Sequence, residues 1–227
     1  MKWLNRKSIG RIFTPLIFLV APLKIFEDLK LKPKWGVPFL FTVLGLMVKT
    51  FLGNSWGNQP IVAQAHALYL YGIILSAGVV LGWSAISTFL YLTIYLIQED
   101  QRPIYRAIFS VVSYCGVIFL LGEICNSILI HANIMDSMRY PLSNQFPVGL
   151  DVLTPEHWLT PARAVLLHSI NPFSIWYFTM ISIGLSMVAG LSKARARLLS
   201  IILWLLALSF AESVLLITGE TSVRLKF

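Results

Sequence analysis

The sequence predicts an all-α integral membrane protein, a helical bundle with five transmembrane helices that is preceded by amphipathic helices at the membrane surface. The chain has 227 residues and is 57% hydrophobic. Only 12% of its residues are charged, against about 25% in an average soluble domain. Long apolar segments recur along the chain without the two-residue alternation of a membrane β-barrel. These observations leave little room for a separate soluble domain.

Five apolar segments approach or reach the length of a membrane span. A transmembrane helix needs about 20 apolar residues, and in lipid it must satisfy its backbone hydrogen bonds internally. Together the segments predict one membrane domain over residues 35–218. The expected spans are residues 35–52, 68–97, 104–130, 173–191 and 198–218, of which the first is the shortest.

Residues 1–34 are predicted to form interfacial helices on the cytoplasmic side of the membrane. Apolar residues recur there at helical spacing beside basic ones, and Pro33 ends the last helix. We expect Phe13, Leu16, Phe26 and Leu29 to face lipid or to pack beneath the bundle.

The distribution of basic residues predicts the topology. Of 18 Lys and Arg residues, thirteen fall in the leading segment and in the turns that follow spans two and four, while five fall on the other side. Basic residues accumulate in cytoplasmic loops. This bias predicts a plasma (inner) membrane protein with a cytoplasmic N-terminus. The segment 131–172 and the tail 219–227 are then extracytoplasmic. The net charge of +8 therefore does not indicate nucleic acid binding.

Two acidic residues, Glu123 and Glu212, lie inside apolar segments. Charge at mid-bilayer is costly, so such residues usually face a partner or a water-filled cavity. At 100° per residue, Glu123 shares one small, polar face with Ser113, Gly116, Ser127 and His131. We expect both acids to face the interior and to lie near each other. They are interpreted either as part of a proton or cation site with a nearby histidine, or as protonated structural residues hydrogen-bonded to serine or to Asn126.

Signatures of enzymes and metal sites are missing from the sequence. It contains no HExxH, no CxxC, no Walker loop, no GxGxxG and no GxSxG. We therefore predict no cofactor, no metal site and no catalytic residues, and a protein that is not an enzyme.

Small residues at four-residue spacing predict close helix packing. Gly78 and Gly82 form a GxxxG pair in the second span, and Ser186 and Gly190 repeat the spacing in the fourth. Small residues let helix backbones approach in lipid. The stripes are compatible with packing inside the bundle and with contact to another membrane protein.

Two stretches resemble the bacterial branch of the Yip-domain family. The first, PLIFLVAPLKIFEDLKLKPKWGVPFLF, contains a short Pro-x-x-x-Phe helix and the KPKW approach to the first span. The second, INPFSIWYFTMISIGLSMVAGLSKARA, resembles the family's fourth span through Phe173, Trp176, Gly184, Leu185 and the Ser192-Lys193 turn. The resemblance covers the chain from about Pro15 to the fifth span.

The resemblance implies a five-span helical domain with a cytoplasmic N-terminus and without catalytic residues. Eukaryotic relatives bind Rab-type GTPases through a hydrophilic arm that is short in this sequence. Bacterial relatives resemble accessory proteins, some beside exporter-type ABC transporters. The leading hypothesis is therefore a non-enzymatic accessory or scaffold protein that contacts membrane lipids and another integral membrane protein or complex. The alternative is a small proton- or cation-coupled transporter or channel that uses Glu123 and Glu212. Either is compatible with a homo-oligomer.

Overall fold

The computed structural model describes residues 14–53, 61–98, 103–131, 149–150, 163, 166–167 and 169–218. All secondary-structure elements in these parts of the chain are α-helices. In chain order they are α1 (Thr14–Val20), α2 (Pro22–Leu31), α3 (Gly36–Gly53), α4 (Ile61–Ile97), α5 (Tyr105–His131), α6 (Pro172–Val188) and α7 (Lys193–Thr218).

The predicted spans correspond to α3 through α7, with boundaries that mostly differ by a few residues. The largest difference is at the start of α4, which begins at Ile61 rather than at residue 68. Prolines mark two of the helix starts, because a proline in the first turn gives up an N–H that has no partner inside the helix. Pro22 opens α2 and Pro172 opens α6. Ahead of Pro172, the side chain of Asn171 accepts a hydrogen bond of 2.8 Å from the Ser174 N–H and so caps α6.

Helix α5 lies at the centre of the bundle. It packs against α3, α4 and α6, and it also contacts α1 and α2. From Ala107 to Ile118 every side chain is buried. This stretch is apolar or small on all sides, as expected for a helix surrounded by other helices.

Helix α4 is attached to the bundle along one side only. Its buried positions are Gly72, Trp83, Ser87, Leu90 and Ile94, which lie on one face of the helix, the last four at steps of three and four residues. The opposite face carries exposed apolar side chains such as Ile74 and Leu81 and the small residue Ala85. This surface fits a lipid environment or a partner helix, because exposure of its apolar side chains to water would be unfavourable.

Two helices in the described parts of the chain are long and apolar enough to cross a membrane. They are Gly72–Ile97 of α4 and Tyr105–Cys125 of α5. Gly36–Val48 and Pro172–Val188 are shorter apolar helices. The described part of the chain is thus helical, and two of its helices could span a membrane. The number of five spans stays a prediction.

The leading helices α1 and α2 pack against the bundle through buried side chains. Phe18 and Phe26 are fully buried, and their rings meet edge to face with 5.4 Å between centroids. Phe18 also lies against Tyr114 of α5, with ring centroids 5.6 Å apart. Leu29 is buried as well. Of the side chains expected to face lipid or pack beneath the bundle, Phe26 and Leu29 therefore pack within it. Phe13 and the side chain of Leu16 lie outside the described residues.

The turn between α6 and α7 gives Gly190 and Ser186 roles other than the predicted packing. Gly190 has φ 68°, a left-handed conformation that commonly terminates helices and that glycine adopts without steric cost. The Ser186 hydroxyl donates a hydrogen bond of 3.0 Å to the Leu191 carbonyl across this turn. Gly190 is also exposed. The two residues thus lie at a helix terminus, and their role in helix packing stays a prediction.

Candidate functional site

A cavity of about 500 Å³ opens between α3, α4 and α5, and Glu123 lies on its wall. Helix α3 contributes Thr42, α4 contributes Trp83 and α5 contributes Gly116 beside Glu123. Tyr177 of α6 closes one side. The predicted intramembrane acid therefore borders an open cavity lined by residues of four helices.

Close packing of α4 against α5 shapes one wall of this cavity. A β-carbon added to Gly116 would lie 2.6 Å from Cζ2 of Trp83. The missing side chain at Gly116 thus provides the space that the indole occupies. On another wall, the rings of Phe119 and Tyr177 lie 4.4 Å apart between centroids. Aromatic rings therefore form much of the surface that Glu123 faces.

The cavity combines few polar groups with a largely apolar lining. Glu123 is half-buried. Thr42 is 5% exposed, and its Oγ1 has no hydrogen-bond partner among the described residues. Buried hydroxyls normally have a partner. A carboxyl group, a hydroxyl group and aromatic faces together suit a small polar or cationic group better than an anion.

Only part of the predicted polar face of α5 has described side chains. Ser113 and Gly116 are buried, and Ser113 donates to the Phe109 carbonyl at 2.7 Å. The backbones of Asn126, Ser127 and His131 continue α5, but their side chains lie outside the described ones. The same holds for Glu212 in α7. The proximity of Glu123 and Glu212 therefore stays a prediction.

Gly78 and Gly82 do not pack against other parts of the described chain. Both are exposed, and a β-carbon at either position would meet nothing within 4 Å. At 100° per residue, Gly78 lies about 140° and Gly82 about 100° from the buried Trp83 around the axis of α4. Close approaches occur instead at Gly116 and at Gly184, where an added β-carbon would lie 2.5 Å from Cγ1 of Val111.

Several residues of this region were not singled out from the sequence. Thr42, Trp83 and Tyr177 look like ordinary components of apolar helices, and only their convergence makes them cavity residues. The sequence signal closest to the site was the small residue Gly116 seven positions before Glu123, two helical turns away on the same face.

The described residues contain no group of three or more His, Cys, Asp or Glu side chains that could hold a metal ion. Comparison with the curated proteins gives no significant match, and comparison with the solved structures gives none either.

A model of the Yip1 domain matches residues 16–214. The match runs from α1 to the second half of α7, so it includes all the helices that surround the cavity. Proteins of this family are membrane proteins that interact with membrane components and are generally not enzymes. With the family model covering most of its 227 residues, the chain belongs to the Yip1 domain family.

Proposed function

We propose that the protein is a non-enzymatic accessory or scaffold protein of the plasma (inner) membrane, with its N-terminus in the cytoplasm. It binds a transmembrane helix of another membrane protein along the outer face of α4. The observation that carries the proposal is the open glycine pair on that face. Gly78 and Gly82 are exposed, and nothing in the described chain comes within 4 Å of a β-carbon at either residue.

The chemistry of the α4 outer face supports a helix as its occupant. Small residues spaced by four let a second backbone approach closely, and such contacts drive helix association where lipid removes the hydrophobic driving force. Ala85 continues the stripe on the same side. The flanking side chains Ile74 and Leu81 are 70% and 69% exposed. They provide an apolar ridge on one side of the glycines.

A matched set of leucine substitutions tests this proposal. Gly82→Leu and Gly78→Leu block the approach of a partner backbone, whereas Ala77→Leu adds bulk to an exposed position about 100° away on the same helix. Partners that copurify in mild detergent are quantified by mass spectrometry. We expect both glycine variants to lose a partner that the wild type and Ala77→Leu retain, with unchanged melting temperatures. Equal recovery by all four proteins would contradict the proposal.

The identity of the partner is a separate part of the proposal. An exporter-type ABC transporter is the first class to examine, since the resemblance to bacterial relatives implies it. Self-association is distinguished by oxidative cross-linking of a Gly82→Cys variant: a disulfide-linked dimer indicates a second copy of this chain on the face. A heterologous partner leaves the variant monomeric while retaining copurification.

The cavity at Glu123 favours a second candidate, a small proton- or cation-coupled transporter or channel. It is supported by the half-buried Glu123, which lines the same cavity as Thr42 and several aromatic rings. Proteoliposomes that contain a pH-sensitive dye and the purified protein test it. Glu123→Gln keeps the shape and removes the charge, so it should abolish proton movement while the fold is retained. Equal fluxes with and without the protein would contradict this candidate.

A further inference from the structure

A second, larger cavity lies on the other side of the bundle, as a groove between α6 and α7. Its volume is about 550 Å³. The lining includes Ser174, Phe178 and Ser182 of α6 and Arg197, Ser200 and Trp204 of α7. From Ser174 to Ile183 the groove follows α6 for nine residues, or about 14 Å at 1.5 Å per residue. That is roughly half of a ~30 Å hydrocarbon core, the length over which one acyl chain extends.

The groove contains one buried hydroxyl group that has no hydrogen-bond partner among the described residues, that of Ser200. Ser200 is 3% exposed. By contrast, Ser209 on the same helix donates to the Leu205 carbonyl at 3.0 Å. A buried hydroxyl without a partner is unfavourable. A ligand atom that accepts a hydrogen bond would remove that cost.

Arg197 lies one helical turn before Ser200 and lines the same end of the groove. It is exposed, so its guanidinium is accessible to a ligand. Lys193 and Arg195, in the first turn of α7, are also exposed. The end of the groove next to the α6–α7 turn is therefore positive, whereas the walls beyond it are mostly isoleucine, phenylalanine and tryptophan.

We propose that this groove binds one anionic phospholipid, with its phosphate on Arg197 and Ser200 and one acyl chain between α6 and α7. Arginine matches phosphate oxygens with several donors at once. Basic pockets between transmembrane helices on the cytoplasmic side suit anionic headgroups, and the charge bias of the sequence predicts that side for the α6–α7 turn. The groove and the outer face of α4 involve different helices, so this inference does not depend on the proposed partner contact.

Lipid titration of the purified full chain tests the proposal. Native mass spectrometry counts bound dioleoyl phosphatidylglycerol and dioleoyl phosphatidylcholine on the detergent-solubilised protein. We expect one phosphatidylglycerol to bind in preference to phosphatidylcholine. Arg197→Gln should weaken it by about tenfold, and Ser200→Ala by about fivefold. Arg195→Gln is the matched control, because Arg195 is exposed in the adjacent part of α7 without lining the groove, and it should bind as the wild type does.

The outcomes separate the alternatives. Equal binding of the two lipids, or equal weakening by Arg195→Gln and Arg197→Gln, would show diffuse attraction to a basic surface and would overturn the site. Competition by inorganic phosphate without any lipid adduct would identify a free anion as the ligand, which also overturns it. If the protein is dimeric and binds no lipid, a second copy of the chain occupies the groove, and the lipid site is overturned. Melting curves show whether each variant is folded, and the exposed Arg197 should tolerate the change.

Discussion

The indole of Trp83 occupies the space that a side chain on Gly116 would need, with its Cζ2 2.6 Å from the position of an added β-carbon. Trp83 has little room to move, since its ring packs near Phe39 and Phe109 at centroid distances of 6.1 and 6.4 Å. This contact joins α4 to the central helix α5 and forms one wall of the cavity at Glu123.

Gly116→Ala should therefore lower the melting temperature of the detergent-solubilised protein. The added methyl group overpacks the α4–α5 contact, which typically costs about 1–3 kcal/mol. Gly82→Ala is the control, because nothing lies within 4 Å of a β-carbon there, and alanine stabilises a helix by up to about 1 kcal/mol over glycine. Equal melting temperatures for Gly116→Ala and the wild type would show that the indole can move aside.

Phe26→Ala should release α2 from the bundle. The ring is fully buried and lies 3.0 Å from a β-carbon added to Gly184. Truncation of a buried phenylalanine costs about 3–5 kcal/mol. We expect a lower melting temperature and faster trypsin cleavage at the exposed lysines that end and follow α2, Lys30 and Lys34. Leu31→Ala, at a position 82% exposed, should change neither. Unchanged cleavage of Phe26→Ala would mean that α2 is held by other contacts.

Two substitutions of Gly190 test whether this glycine is needed for its backbone conformation or for its small size. Its φ of 68° disfavours residues with a β-carbon, at a cost of about 1–2 kcal/mol. Asparagine tolerates this conformation better than alanine does. Gly190→Asn should therefore melt above Gly190→Ala, although asparagine is larger. If the glycine were needed for space, the order of the two melting temperatures would reverse.

Two substitutions of Thr42 test whether its hydroxyl group, which lines the cavity, stabilises the fold. Its Oγ1 has no partner among the described residues. Thr42→Val removes the hydroxyl at nearly constant volume and should leave stability unchanged or raise it by about 1 kcal/mol. Thr42→Ser keeps the hydroxyl and loses a methyl group, so it should lower stability by about 1 kcal/mol. A valine variant less stable than the serine variant would show that the hydroxyl makes a stabilising hydrogen bond in the membrane.

The predicted topology is tested by cysteine labelling. A cysteine at Asn144, which lies outside the described residues, should react with an impermeant maleimide added from outside the cell. The two native cysteines, Cys115 and Cys125, are first replaced by alanine, since Cys125 is exposed. The expectation follows from the bias of thirteen basic residues to five. Reaction from the cytoplasmic side alone would reverse the assignment.

The sequence by itself determined the helical class, the family and the approximate ends of the helices. The segment expected at residues 104–130 forms α5 from Tyr105 to His131, because hydrocarbon length and backbone pairing leave an apolar segment few alternatives. The sequence also indicated Glu123 and the face of small residues on α5 around Gly116, since polar and small residues are conspicuous in an apolar segment.

Only the tertiary structure decided which surfaces are buried. Gly72–Ile97 and Tyr105–Cys125 are similarly apolar, yet within an 18-residue stretch of each, 17% of the residues in the first and 72% in the second are buried. Their sequences do not separate them, because a surface that faces lipid and one that faces another helix are both apolar. For the same reason, Gly82 and Gly116 look equivalent in sequence. One is open on the outside of α4, and the other lies against Trp83 in the core.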